Sequence, residues 1–165
     1  MVKKIENETN KTPQDHEDDM IVRVFKKLSL VKGDDRMALI VGHGFIELLV
    51  SVLAKEKTKN GKKIKNDSRS FPHSVKLLIL HEIGTITDSQ YESYDWLRRL
   101  RNKAAHEPIF EITPETYKQC PVVRLDGKNE DFHGFITTII GSLWNEHKDI
   151  FGPKFAPTVM GLNKK

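Results

Sequence analysis

The sequence predicts an all-α protein, a bundle of four to six helices, and three observations carry that expectation. Apolar residues recur at spacings of three and four through most of the chain, which is the period of a helix with one buried face. Helix start and stop signals sit at the ends of these stretches. The one strand-like run, PVVRLDGK at 121–128, has no second strand to pair with, and a lone strand makes no sheet.

Residues 1–18 are polar, of mixed charge and poor in large apolar side chains, so they read as a disordered lead-in to a domain over 19–152. Ile21, Val24, Phe25 and Leu28 mark a first amphipathic helix that stops near Gly33. Asp34 or Asp35 can cap the next helix, where an acid also favours the positive end of the helix dipole. Along it Leu39, Phe45, Ile46, Leu49, Val50 and Leu53 are too dense for a surface helix, so it is expected to be central. Gly42 and Gly44 lower its intrinsic stability by roughly 1 kcal/mol each relative to alanine, which close approach of another helix would justify. Its apolar run, Ala38 to Ala54, includes His43 and Glu47 and falls short of the ~20 residues of a membrane span, so no membrane partner is expected.

A further helix is expected over Pro72 to Ile83, capped by Ser70, with Val75, Leu78 and Ile79 as its apolar face and Gly84 as its stop. Thr87 and Gln90 have the spacing of a capping box. The helix they open is expected to reach His106, because Pro108 disfavours helical geometry at Glu107, and Tyr94, Leu97, Leu100 and Ala104 form its buried stripe. Thr113-Pro114-Glu115 can start a short turn of helix. Phe132, Phe135, Ile136, Ile139, Ile140, Leu143 and Trp144 mark the last helix, with Gly152-Pro153 as its end and a loose tail over 153–165.

The 165 residues are 38% hydrophobic and 30% charged, which suits one domain with a heavily charged surface. The opening MVKKIENETNK has no apolar run behind it, so no secretory signal is visible and a cytoplasmic location is expected. A single cysteine, Cys120, excludes an intramolecular disulfide and a cysteine-built zinc site. Phosphate-loop, dinucleotide-loop and nucleophile-elbow signatures are absent. His81-Glu82 begins like a zinc-protease helix, but Thr85 stands where the second histidine belongs. No metal and no cofactor is expected.

Charge is concentrated. Lys55, Lys57, Lys59, Lys62, Lys63, Lys65 and Arg69 stand against Glu56 and Asp67, so the segment 55–69 carries +5 in a chain whose formal net charge is +4. A flexible lysine-rich loop suits phosphate backbones, because it neutralises charge and releases counterions without fixed geometry. Lys59, Lys62, Lys63 and Lys65 are therefore candidate nucleic-acid-binding residues, with a merely solubilising loop as the alternative.

The stretch LRRLRNKAAHEP, 97–108, stands apart. Asn102 and His106 are four apart and share a helical face. Arg101 and His106 lie about 140° apart on an ideal helix, so they meet on one ligand only if the helix loosens near His106 or if two copies face each other. An arginine beside a histidine can hold a phosphate and move a proton near neutral pH. The plainer alternative gives Arg101 an acidic partner and leaves His106 as a helix-end group.

R-N-x-x-x-H at the end of a helix resembles the R-x(4–6)-H motif of the HEPN superfamily. Asp35-Arg36-Met37-Ala38-Leu39, followed by Phe45-Ile46-Glu47-Leu48-Leu49, resembles the D-R-x-A-L…L-[DE]-x-x-L helix of a bacterial HEPN-like group labelled mannitol-operon repressor-like. Lys76, Leu80, Gly84, Ile86, Tyr91 and Leu97 also fall where that group has a lysine, a leucine, a G-x-I turn, an aromatic and an apolar residue. The resemblance implies a helical bundle that dimerises so that two motifs share one cleft. It further implies a metal-independent ribonuclease of the toxin–antitoxin or antiviral kind, with Arg101 on the phosphate, His106 as general acid or base and Asn102 orienting substrate. The alternative within the group is a non-enzymatic transcriptional or regulatory protein that binds a partner or antitoxin. Glu47, alone among apolar neighbours, is expected to orient Arg101 or Arg98. A helix-turn-helix reading, with the Thr87 helix as reader, places Arg98, Arg99 and Arg101 late in the helix, where base contacts are uncommon.

Overall fold

The computed structural model describes residues 20–121 and 132–155. Among these residues the secondary structure is entirely helical: α1 (Met20–Leu30), α2 (Asp35–Lys57), α3 (Gly61–Asn66), α4 (His73–Glu82), α5 (Asp88–His106), α6 (Pro114–Lys118), α7 (Phe132–Glu146) and α8 (Lys148–Phe155). The expected lead-in over 1–18 and all but Pro121 of the strand-like run lie outside the described residues.

The 23-residue α2 is the axis of the bundle and packs against α1, α3, α4, α5, α7 and α8. Its start is fixed by Asp34, whose carboxylate accepts the Met37 N–H at 2.9 Å. Leu39, Ile46, Leu49, Val50 and Leu53 are fully buried along it. By length and mean hydropathy α2 could cross a membrane, contrary to the sequence-based count. However, 67% of its most apolar window is buried against the other helices, so the bundle itself uses that apolar surface. Gly42 has the expected reason to be there: a Cβ at this position would sit 2.3 Å from Ile136 Cγ2 on α7. Gly44 meets nothing within 4 Å.

α5 forms as its sequence predicts. Thr87 Oγ1 accepts the Gln90 N–H at 3.3 Å while Gln90 Oε1 accepts the Thr87 N–H at 2.9 Å, and Tyr94, Leu97, Leu100 and Ala104 are buried. Thr113 caps α6 by accepting the Thr116 N–H.

Four expectations are corrected. The basic segment is no plain loop: α3 forms within it because Ile64 is buried and Gly61 lies against the Lys55 carbonyl, where no side chain would fit. Ser70 does not cap α4, whose N-cap is Pro72; the Ser70 N–H instead donates to Asp67. α4 turns His73, Lys76, Leu77 and Leu80 inward and leaves Leu78 exposed, so its buried face is rotated from the Val75–Leu78–Ile79 face. Gly152-Pro153 does not end the fold either. The chain turns at His147, and α8 runs through Pro153 because Phe151 and Phe155 stack on Trp144 at 5.4 and 5.8 Å.

The two glycines of α2 predict substitutions of opposite sign. Gly44→Ala should raise stability by roughly 0.5–1 kcal/mol through helix propensity alone. Gly42→Ala should lower it by about 1–2 kcal/mol, because the branched Ile136 side chain yields poorly and overpacking outweighs the propensity gain. Urea denaturation of both variants reads the difference.

Candidate functional site at the end of α5

α5 carries Arg98, Arg99, Arg101, Lys103 and His106 within its last three turns. Asp95 neutralises two of them. Arg98 Nε and Nη2 donate to its Oδ1 at 2.9 and 2.8 Å, and Arg99 Nε donates to Oδ2 at 3.1 Å. Lys103 Nζ stands 3.9 Å from Glu107. Arg101 is exposed, and its Nη1 donates to Asn102 Oδ1 at 3.4 Å.

Glu47 does not supply Arg101 or Arg98 with a partner. It is exposed and enters no ion pair among the described residues, and the carboxylate on Arg98 is Asp95. The reason is helical register: Glu47 shares the exposed side of α2 with Met37, Ile40 and Gly44. The premise that it is buried fails.

His106 is exposed in the last turn, and α5 stays regular through it, with Glu107 as C-cap and the Glu107 N–H donating to the Lys103 carbonyl at 2.9 Å. A regular helix leaves Arg101 and His106 about 140° apart, so one chain does not point both at one atom. Beyond this end the chain is tied back to α2, as Arg36 Nη1 donates to the Pro108 carbonyl at 3.3 Å. Ile109, next in the chain, is 85% exposed.

Behind the arginines lies a group that sequence reasoning missed. His43 on α2 and His73 on α4 are buried and meet edge to face, with ring centroids 5.1 Å apart. Among the described residues neither His73 nitrogen nor His43 Nε2 has a hydrogen-bond partner. Burial, then the positive charge of Arg101 and Arg98, pushes the His43 pKa down to about 4. Burial, then His43, Arg98 and Lys76, pushes that of His73 down to about 3. Lys76 is itself buried and donates to Ser51 Oγ at 3.2 Å and the Lys65 carbonyl at 3.5 Å. The only sequence signal for this group is that 73, 76, 77 and 80 share a helical spacing.

The lysine candidates separate. Lys59, Lys62 and Lys63 line a cleft with Lys55 and Lys154, whereas Lys65 lies off it. Among the described residues no group of three or more metal-ligating side chains converges. No protein-family model, curated protein or solved structure matches this chain.

The two histidines set an acid limit on stability. Their folded pKa values lie below the unfolded value near 6.5, so the unfolded chain binds more protons. The stability is full above about pH 6.5 and falls as pH drops towards 4 and then 3, by up to about 1.4 kcal/mol per pH unit for each histidine. His147 adds to this in the same direction, being lowered by burial. Urea melts between pH 7.5 and 4.5 should show the loss, and His73→Leu should flatten it. An unchanged slope in that variant would falsify the assignment.

Proposed function

We propose that this chain is a HEPN-like RNA-binding protein that works as a homodimer, with Arg101, Asn102 and His106 forming a metal-independent endoribonuclease site. One observation carries the reading: among the described residues Arg101 is exposed and without a carboxylate partner, while Asp95 takes up both of its arginine neighbours. An unneutralised guanidinium with an amide beside it is suited to a phosphodiester. The regular helix through His106 favours sharing between two copies over convergence within one. Exposed Met37, Ile40 and Ile109, on segments joined by the Arg36–Pro108 hydrogen bond, supply apolar surface beside the site for the second copy.

In the proposed reaction His106 of one copy takes the proton of the ribose 2′-hydroxyl as that oxygen attacks phosphorus. Arg101 of the other copy holds the non-bridging oxygens, where negative charge grows in the transition state. The bond from phosphorus to the 5′-oxygen breaks, and the leaving oxygen takes a proton from water or from the His106 that has just been protonated. The products are a 2′,3′-cyclic phosphate and a 5′-hydroxyl.

The purified protein should scatter light as twice 19.0 kDa at micromolar concentration and cleave RNA in EDTA. His106→Ala and Arg101→Ala should each lower cleavage by about 10²–10⁴-fold. Both should melt within about 0.5 kcal/mol of the parent, since both side chains are exposed. A dimer that binds RNA or a protein partner without cutting would move the chain to the regulatory branch of the proposal. A monomer with no RNA activity would remove the proposal.

A further inference from the structure

At the opposite end of α2 from Arg36, a cleft of about 560 Å³ is lined by Lys55, Lys59, Lys62, Lys63 and Lys154, with Glu56 as its one carboxylate. Three elements build it. α2 contributes its last turn, α3 and the residues before it contribute the next three lysines, and α8 brings Lys154 from the far end of the sequence. Gly61 sets the walls, because its bare Cα lets α3 abut the Lys55 carbonyl. Glu56 holds two of the cations in place, at 3.3 Å from Lys55 Nζ and 3.0 Å from Lys154 Nζ. Lys59, Lys62 and Lys63 are exposed and enter no ion pair among the described residues, although, after hydrogen bonds from Ser70, the charge of Lys63 helps to lower the pKa of Asp67.

Lysines at a helix C-terminus offset its dipole, which accounts for Lys55 and Lys57. Lys63 in α3 and Lys154 in α8 also lie in the last turns of their helices, but dipoles do not account for three elements bringing five lysines to one hollow. Among the described residues no aromatic side chain lines the cleft, so these residues offer charge for a backbone and no surface for bases to stack on. α2 separates it from the Arg36 end by about 30 Å, at 1.5 Å per residue.

We propose that this cleft is a phosphate-backbone site for single-stranded RNA, distinct from Arg101 and His106, with Lys154 as a contact and Glu56 as a brake on affinity. The proposal rests on the RNA reading above and adds a second point of attachment, so that long strands bind better than short ones. It is sequence-independent by construction, since every contact goes to phosphate.

The test is anisotropy titration of a labelled uridine 20-mer and a uridine 6-mer over a range of salt. Lys62→Gln/Lys63→Gln/Lys154→Gln should weaken 20-mer binding and lower its log–log salt slope by about 2, at roughly 0.7 per lost single-strand contact. The 6-mer, too short to reach both sites at once, should lose less affinity than the 20-mer in the triple variant. Glu56→Gln should tighten 20-mer binding, a gain that a merely solubilising patch would not show. An unchanged slope in the triple variant, or tighter binding of polyglutamate than of the 20-mer, would overturn the cleft as an RNA site. Arg101→Ala run alongside separates the two readings: if it alone leaves binding and cleavage intact, the α5 site fails while the cleft stands. A parent protein that ignores both oligonucleotides overturns both.

Discussion

Ile136 rests against the bare Cα of Gly42, and the rest of the bundle is arranged around that contact. It brings α7 close against α2, closer than a side chain at position 42 would permit. α2 then has further apolar faces to hide, and α4 and α5 cover them with Leu77, Leu80, Leu97 and Leu100. Once Tyr94, Leu97, Leu100 and Ala104 are turned inward, the intervening positions of α5 must face out. The exposure of Arg101, Asn102 and His106 is therefore a consequence of core packing.

Charge follows the same frame. Two basic regions sit towards opposite ends of α2, one at the end of α5 and one between α3 and α8. Between them, positive charge reaches the interior as Lys76, whose ammonium finds Ser51 and a backbone carbonyl, and as the fields of Arg98 and Arg101 on His43. Two imidazoles in that place stay neutral, because a further proton would meet both desolvation and like charge. The interior is thus tuned against acid at the point where α2, α4 and α5 meet.

What could be read from sequence follows from how each element is held. α5 was legible throughout, since its capping box, apolar stripe and closing proline are all local signals. α4 was legible as a helix but not in its orientation. His73 and Lys76 look like surface residues, and hydropathy cannot foresee that a lysine stem will lie inside with its ammonium on Ser51. α3 has six residues with one apolar side chain, Ile64, and forms through tertiary packing rather than propensity. α8 overrides its proline through aromatic contacts with Trp144 that come from another helix. At the candidate site, residue spacing picked out Arg101, Asn102 and His106. Their acid was misread because Asp95 lies on the same helix, three and four residues before Arg98 and Arg99, while Glu47 lies on the outer face of α2.

The spacing of Asp95 bears on why Arg101 has no carboxylate partner among the described residues. A carboxylate on a helix reaches cations three and four positions on, and Asp95 uses both oxygens there. Arg101 is six positions on, around the helix and out of reach, and Lys103 is the cation that meets Glu107. Pairing Arg101 would require a new acid elsewhere on its own face. An exposed ion pair contributes only ~0–1 kcal/mol, so the bundle loses little by lacking it. The helix can therefore keep one uncommitted guanidinium at its open end at almost no expense in stability. Arg101 can thus be altered without disturbing the core that presents it.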